Sequence, residues 1–270
     1  MVLSIVIPVH NPEHLESKIQ QFLVPQLEGL KHNTTLAGVE LVYVCNGCTE
    51  RTREVLLDYK KHMPIKILWF EQGLGFTKAT NIGIQASLGE IVLLFNDDAI
   101  ILNYCKKNHW MNWLLSPFWS DPSVGLTGVH ELYCHHSQAH FFVGYCVACR
   151  RKMLEEIGIL DEIFSPGAGE DTDLCIRARL HGWKTQNVDM HAQGGACTFP
   201  IWHPGESTFH NWEAKGDYAP DSKWDRIFTR NSLILSDRRS MGYYDKKGPR
   251  ISTVPELKPL VLGLREALSA

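Results

Sequence analysis

The sequence predicts an α/β protein: a single domain built on a mostly parallel sheet flanked by helices. Three observations carry that prediction. Short apolar runs rich in β-branched residues alternate with segments whose apolar residues recur at helical spacing. The runs are apolar at successive positions and not only at every second one, which marks strands covered on both faces. Each of three such runs ends in polar or turn-forming residues, namely His10-Asn11, Asn46-Gly47 and Asn96-Asp97-Asp98. A chain of 270 residues, 44% of them hydrophobic, suffices for a sizeable core.

Taken in order, LSIVIPV (3–9) predicts the first strand, and the spacing of Leu15, Ile19, Phe22 and Leu23 predicts a helix after it. VELVYVC (39–45) repeats the strand signature, Asn46-Gly47 turns the chain, and Val55, Leu56 and Tyr59 mark a second helix. IKILWF (65–70), a glycine-containing loop, a helix over 76–88 and the strand EIVLLF (90–95) complete the series. Beyond it, KKNHWMNWLLSPFW (106–119) predicts a helix carrying Trp110, Trp113, Leu114 and Leu115, followed by the short apolar run VGLTGV. HFFVGYCVACRRKMLEEIG reads as one strand entering a helix that stops near Gly158. GEDTDLCIRARLHGW (169–183) has acids in its first turn, bases later and Gly182 at its end, as a helix requires. Residues 200–250 read as ordered irregular structure or a lid, and VPELKPLVLGLREALSA as a short helix packed back on the domain.

Composition excludes several classes. Twenty-seven basic against 30 acidic residues, a net charge of -3, show no global bias toward nucleic acid. No run approaches the roughly 20 apolar residues that span a bilayer, and the chain opens without a secretory signal, so a cytoplasmic protein, soluble or peripheral at a membrane, is expected. Eight cysteines are too dilute for a disulfide scaffold. The pairs Cys45/Cys48 and Cys146/Cys149 lie much farther apart than the roughly 15–20 residues between the pairs of a zinc ribbon, and read as buried or turn cysteines.

Parallel sheets bind ligands beyond the carboxyl ends of their strands, which puts the three polar turns along one edge. Two adjacent carboxylates repel each other, and a bound cation is the simplest way to keep both ionised. Carboxylate oxygens suit magnesium or manganese, which often bind through one or two carboxylates and substrate phosphates. The plainer alternative is that Asp97 and Asp98 solvate a strand end or cap the next turn.

The segments SIVIPVHN, VCNGCTERT, GLGFTKATNIGIQASLGEIVLLFNDDA, VGYCVACRRKMLEEIGILDEIFSPGAGEDTDLCIRARLHGW, WHPGESTF and TRNSL follow one another in an order that resembles glycosyltransferase family 2. These are the nucleotide-sugar enzymes of the GT-A fold, and the resemblance runs from residue 3 to about residue 231. It implies a GT-A-like domain over 1–250, with a nucleotide-sugar-binding half (1–100), an acceptor half (101–250) and a C-terminal tail (251–270). Pro8, His10 and Asn11 would form the nucleotide-contacting turn, with His10 in place of an aromatic residue. Asn46 is kept, but Cys45 and Cys48 depart from the family's Val-Asp-Asn-Gly-Ser-Thr-Asp turn, and the missing Asp weakens the expected base contact. Gly75 and Asn81 fall where the family places them on the donor side. Asn96 stands first in the DXD-type motif and Asp98 last, so Asp98 would be the metal ligand and Asn96 and Asp97 donor contacts. Within Glu170-Asp171, the resemblance makes Asp171 the catalytic base, with Glu170 on the acceptor side; as residues alone, Glu170, Asp171 and Asp173 also suit a helix start. His203 would be a further metal or diphosphate contact, a role His191 can also fill.

Lys78 either approaches the diphosphate or lies on a solvated helix face, and Trp202, Trp212 and Trp224 either stack on sugar faces or pack. The implied activity is inverting, Mn2+- or Mg2+-dependent transfer from a UDP-, GDP- or dTDP-sugar to a hydroxyl of a carbohydrate or glycoconjugate acceptor. Two alternatives remain open. A sugar-1-phosphate nucleotidyltransferase would need an early glycine-rich loop with a basic residue, and PVHNPEHLESK supplies none. A catalytically silent carbohydrate- or nucleotide-sugar-binding protein on the same fold is kept open by the departures at His10, Cys45, Cys48 and Asn96.

Overall fold

The computed structural model describes residues 2–104, 106–189, 199–204, 223–245 and 265–266. The first half runs β1 (Leu3–Val9), α1 (Val24–Asn33), β2 (Val39–Asn46), α2 (Glu50–Lys60), β3 (Ile65–Phe70), α3 (Phe76–Ala86) and β4 (Ile91–Phe95). The second half runs β5 (Ile100–Ile101), α4 (His109–Ser120), β6 (Val124–Gly128), β7 (Glu131–Cys134), β8 (Ala139–Phe142), β9 (Cys146–Arg150), α5 (Arg151–Ile157), α6 (Glu170–Leu180), β10 (Lys184–Asn187), β11 (Ile201–Trp202), α7 (Lys223–Ser240) and β12 (Arg265–Glu266). The main sheet has eight strands in the order β10-β6-β9-β4-β1-β2-β3-β12. Neighbours β4, β1, β2 and β3 are parallel, whereas β9 runs antiparallel to both β4 and β6.

The strand side chains explain the continuous apolar runs. Leu3, Ile5, Ile7 and Val9 of β1 face a core shared with α1, α2 and α4. Val6, with Val42 and Val44 of β2, faces a second core shared with α3, α5 and α6. Because successive strand residues point to opposite faces, a strand sandwiched between two helical layers is apolar at most positions. Among the described residues, no helix is long and apolar enough to cross a membrane.

Four expectations change. The helix after β1 begins later than Leu15, because a 3-10 turn (Glu13–Leu15) and a π-helical turn (Ile19–Leu23) precede α1. The single strand expected over HFFVGYCVAC is two, β8 and β9, separated at Gly144; β8 pairs with β7 in a hairpin outside the main sheet. Most residues of that hairpin are only partly buried, with Phe142 the buried exception, so neither strand carries the clean alternation that would announce it. Part of the stretch read as irregular or a lid is the helix α7, whose buried side includes the polar Asn231 and Ser232 and so lacks a clean apolar stripe. Of the tail expected to be a helix, only Arg265–Glu266 is described, and it is a strand paired with β3; the rest lies outside the described residues.

Helix α3 crosses β1 and β2 closely at Gly83, where an added Cβ would lie 2.3 Å from Val6 Cγ1 and 3.1 Å from Val44 Cγ2. The substitution Gly83→Ala should therefore lower stability by about 1–3 kcal/mol through overpacking. A urea titration checks this, and a wild-type midpoint would mean that α3 does not approach the sheet so closely.

Candidate active site

The carboxyl ends of the parallel strands β1, β2 and β4 bring the three polar turns to one edge, as the alternating pattern requires. Asn46 ties that edge together. Its Nδ2 donates to the Val9 carbonyl at 2.7 Å, and its Oδ1 accepts from the Leu74 backbone N–H at 2.9 Å. His10 Nδ1 lies 2.6 Å from the Asn46 carbonyl oxygen, and burial holds the imidazole pKa below its usual range. Gly47 has a φ of +68°, and a Cβ there would lie 2.9 Å from the Gly73 nitrogen. Asn11 is fully buried, and neither side-chain polar atom has a hydrogen-bond partner among the described residues. An amide so placed is ready for a ligand.

The adjacent carboxylates at the end of β4 take separate partners. Asp97 Oδ2 lies 3.7 Å from Nζ of the buried Lys18. Burial nevertheless raises its pKa to about 6, with Lys18 opposing and Asp98 adding to the rise. Asp98 Oδ1 lies 3.1 Å from His203 Nε2. That imidazole stacks on Tyr145, with ring centroids 4.3 Å apart and planes 8° from parallel. Tyr145 also fixes the turn, since its carbonyl accepts from the Asn96 N–H at 3.0 Å. From α1, Gln26 Nε2 donates to the Asn96 and Ala99 carbonyls.

Asp98 and His203 suit one divalent cation. Their Oδ1 and Nε2 stand 3.1 Å apart, and a carboxylate oxygen beside an imidazole nitrogen is a donor set that magnesium or manganese accepts. The Oδ1 of neighbouring Asn96 is buried without a hydrogen-bond partner among the described residues. Among the described residues, no cluster of three or more His, Cys, Asp and Glu residues that could hold a metal forms.

Across the pocket, Asp171 stands in the first turn of α6. Its Oδ2 accepts from the Gly144 N–H at 3.1 Å and its Oδ1 from the Thr172 N–H at 2.7 Å. Burial raises its pKa to about 6 against these two hydrogen bonds, which favour the carboxylate. Burial, reinforced by Asp171, pushes Glu170 well above the usual carboxylate range, and its Oε2 has no hydrogen-bond partner among the described residues. One open pocket is lined by Asn96, Gly144, Tyr145, Glu170, Asp171 and His203. The structure thus gathers on one pocket the candidate base and the imidazole that contacts Asp98.

Other candidates sit differently. Asn81, expected on the donor side, is buried; its Nδ2 donates to the Leu160 carbonyl at 2.9 Å and its Oδ1 accepts from the Leu160 N–H at 3.1 Å, so the amide braces α3. Gly75, also expected there, is required by φ +80° and by Pro166, whose Cβ would lie 2.6 Å from an added Cβ. Pro8 is buried inside β1, and Lys78 is exposed on α3. Trp202 is 46% exposed and stacks on Phe22 at 6.2 Å. His191 and Trp212 lie outside the described residues, as does the side chain of Trp224. Sequence reasoning overlooked Lys18 and Tyr145: the first is the closing residue of PVHNPEHLESK, and the second sits within GYC between two strands, a break that itself marks a turn.

Residues 4–112 match the family model Glycosyl transferase family 2. No curated protein shows significant sequence similarity to the chain. Among solved structures, the mannosyltransferase PcManGT from Pyrobaculum calidifontis, in complex with GDP-Man and Mn2+, has a TM-score of 0.56 at 17% identity, covering 97% of this chain and 68% of that one. GalNAc-T7 with UDP, GalNAc and Mn2+ has a TM-score of 0.56 at 17% identity, covering 68% of this chain and 42% of that one. S. aureus TarS 1-349 has a TM-score of 0.55 at 15% identity, covering 97% of this chain and 78% of that one. At such identities these likenesses show a shared GT-A fold.

The raised Asp171 pKa fixes the sign of a stability effect. An acid whose pKa rises on folding binds its proton more tightly in the folded state, so its burden is absent below about pH 4 and full above about pH 6. Asp171→Asn should therefore raise the Tm by roughly 2–4 °C at pH 8 and by little at pH 4. Melting curves at the two pH values check it; an equal or larger gain at pH 4 contradicts the assignment.

Proposed function

We propose that this chain, a glycosyltransferase whose residues 4–112 belong to glycosyl transferase family 2, moves a sugar from a nucleoside-diphosphate sugar to an acceptor hydroxyl with inversion at the anomeric carbon. The observation that carries the reading is that Asp171 and His203, the partner of Asp98, line one pocket. The donor class rests on the family match, supported by the GDP-Man and the UDP held in two of the fold's relatives.

In this reading the donor lies along the carboxyl edge of β1, β2 and β4, where Asn11 offers a buried amide and Asn46 holds the two turns together. Asp98 and His203 would hold Mg2+ or Mn2+, which supplies charge neutralisation for the departing diphosphate. Asp171 receives the acceptor's proton as the hydroxyl oxygen bonds to the anomeric carbon and the carbon–oxygen bond to the diphosphate breaks, its electron pair leaving with the diphosphate. One displacement from the opposite face inverts the centre, and no enzymic nucleophile is needed. A carboxylate with a pKa near 6 is a stronger base than an exposed aspartate yet is ionised at neutral pH. Glu170, whose charged form is disfavoured by burial beside Asp171, lines the same pocket on the acceptor side.

Two tests address separate halves of this assignment. Nucleoside diphosphate release from a panel of UDP-, GDP- and dTDP-sugars should fall to background in chelator and return with manganese. Asp98→Ala and His203→Ala should each weaken manganese-dependent nucleotide binding at least ~10-fold; full activity in chelator, or wild-type affinity in both variants, removes the metal assignment. Asp171→Asn should lower kcat by about 10²–10⁴-fold while nucleotide affinity stays within about twofold. Unchanged turnover removes Asp171 as base.

A further inference from the structure

The segment leading into Glu170 and Asp171 takes an unfavourable backbone conformation and is held mainly by side chains from elsewhere in the fold. Ala168 has a left-handed φ of +76°, a conformation that disfavours a residue with a Cβ. Gly169 follows at φ +100° and, as the residue capping α6, offers no side-chain hydrogen bond. What holds the segment comes from α7. Asn231 is 1% exposed, and its Nδ2 lies 2.9 Å from the Phe164 carbonyl oxygen, 2.8 Å from that of Gly167 and 2.8 Å from that of Ala168. Its Oδ1 accepts from Arg230 Nε at 2.9 Å, and Arg230 Nη2 reaches the Ile163 and Ser165 carbonyls.

Helix α7 is itself fixed to α6. Arg238 Nη1 lies 2.6 Å from Asp173 Oδ1, its Nη2 pairs with Asp161, and the Tyr244 hydroxyl donates to Asp173 Oδ1 at 2.9 Å. Asp173 Oδ2 pairs with Arg177 Nε at 2.7 Å. On its other side the same segment touches α3, where the Pro166 carbonyl accepts from the Thr77 N–H at 3.3 Å. The residues before the candidate base are therefore clasped between α3 and α7, and the two N–H groups of one amide side chain are shared among three of their carbonyls.

We propose that Asn231 is a positioning residue: by holding the carbonyls of Phe164, Gly167 and Ala168 it sets the direction in which Glu170 and Asp171 enter the pocket. The inference rests on Asp171 acting as the base. Geometry makes the amide specific, since aspartate keeps the shape but donates nothing and serine offers one shorter donor. Misplacing a base by about 1 Å is enough to cost about 10²-fold in rate.

The test uses the full chain with manganese and the same panel of UDP-, GDP- and dTDP-sugars, following nucleoside diphosphate release. Asn231→Ala and the isosteric Asn231→Asp should each lower kcat at least ~10-fold with donor KM within about twofold. A folded Asn231→Ala with wild-type kcat, or a loss expressed in donor KM with kcat intact, overturns the proposal. Should Asn231→Ala not melt cooperatively, Asn231→Ser is read by the same criteria, and Arg230→Ala should lower kcat by a smaller factor. Asp171→Asn is run alongside. If it is inactive while Asn231→Ala is wild-type, the positioning role alone fails; if it turns over normally, or the wild type turns over no donor, the functional reading falls and the positioning role with it.

Discussion

Two neighbouring carboxylates at the mouth of a buried strand are the constraint around which the site is arranged. Asp97 and Asp98 cannot both point into the same low-dielectric space unless each finds a cation or a polar partner. The fold separates them, with Asp97 turned to the buried Lys18 and Asp98 to His203. Consecutive side chains leaving a strand end readily diverge, but they stay apart only if the turn is rigid. Gln26 holds it from below through the Asn96 and Ala99 carbonyls, and Tyr145 holds it from the side. The charge problem is thus solved by backbone hydrogen bonds as much as by counter-ions.

The antiparallel strand β9 makes the second half of the site. Inserted between β4 and β6, it places Gly144 and Tyr145 at its entrance beside the carboxyl end of β4. Tyr145 then stacks on His203 while the Gly144 N–H donates to Asp171. One two-residue turn therefore touches both the imidazole beside Asp98 and the candidate base. A purely parallel continuation would have brought the opposite end of the next strand to this edge, and the two groups would not have met.

Most of this sheet was legible because burial on both faces leaves a plain mark: runs such as SIVIPV and IVLLF are hard to read as anything but covered strands. The polar residues that close those runs marked the edge for the same reason, since a buried strand has little other reason to end in carboxylates. What escaped was structure whose buried face is polar. Helix α7 buries Asn231 and Ser232, and its Arg238 turns inward to Asp173 and Asp161, so hydrophobic periodicity does not reveal it. Asn81 shows the same limit from the other side. It sits in a segment resembling the family's donor side, but its amide is taken up by the Leu160 backbone, and a residue pattern does not distinguish a ligand from a brace.

The buried charges behind the site follow a different logic from those within it. Asp173 is completely buried, yet it meets Arg177, Arg238 and the Tyr244 hydroxyl, so each of its oxygens has a donor. Ion pairs of this kind add little net stability over an apolar contact, because desolvation offsets most of the attraction. Removing one partner is another matter, since it strands a buried charge at a cost of about 3–5 kcal/mol. Helix α7 is therefore favoured in the one register that satisfies Asp173, and that register is the one that delivers Asn231 to the carbonyls ahead of Asp171. Glu170 and Asp171, by contrast, are left with their charged forms disfavoured. The difference is physical: the acid that positions the helices is fully paired, whereas burial, with no cation beside them among the described residues, raises the pKa of the two acids that line the pocket.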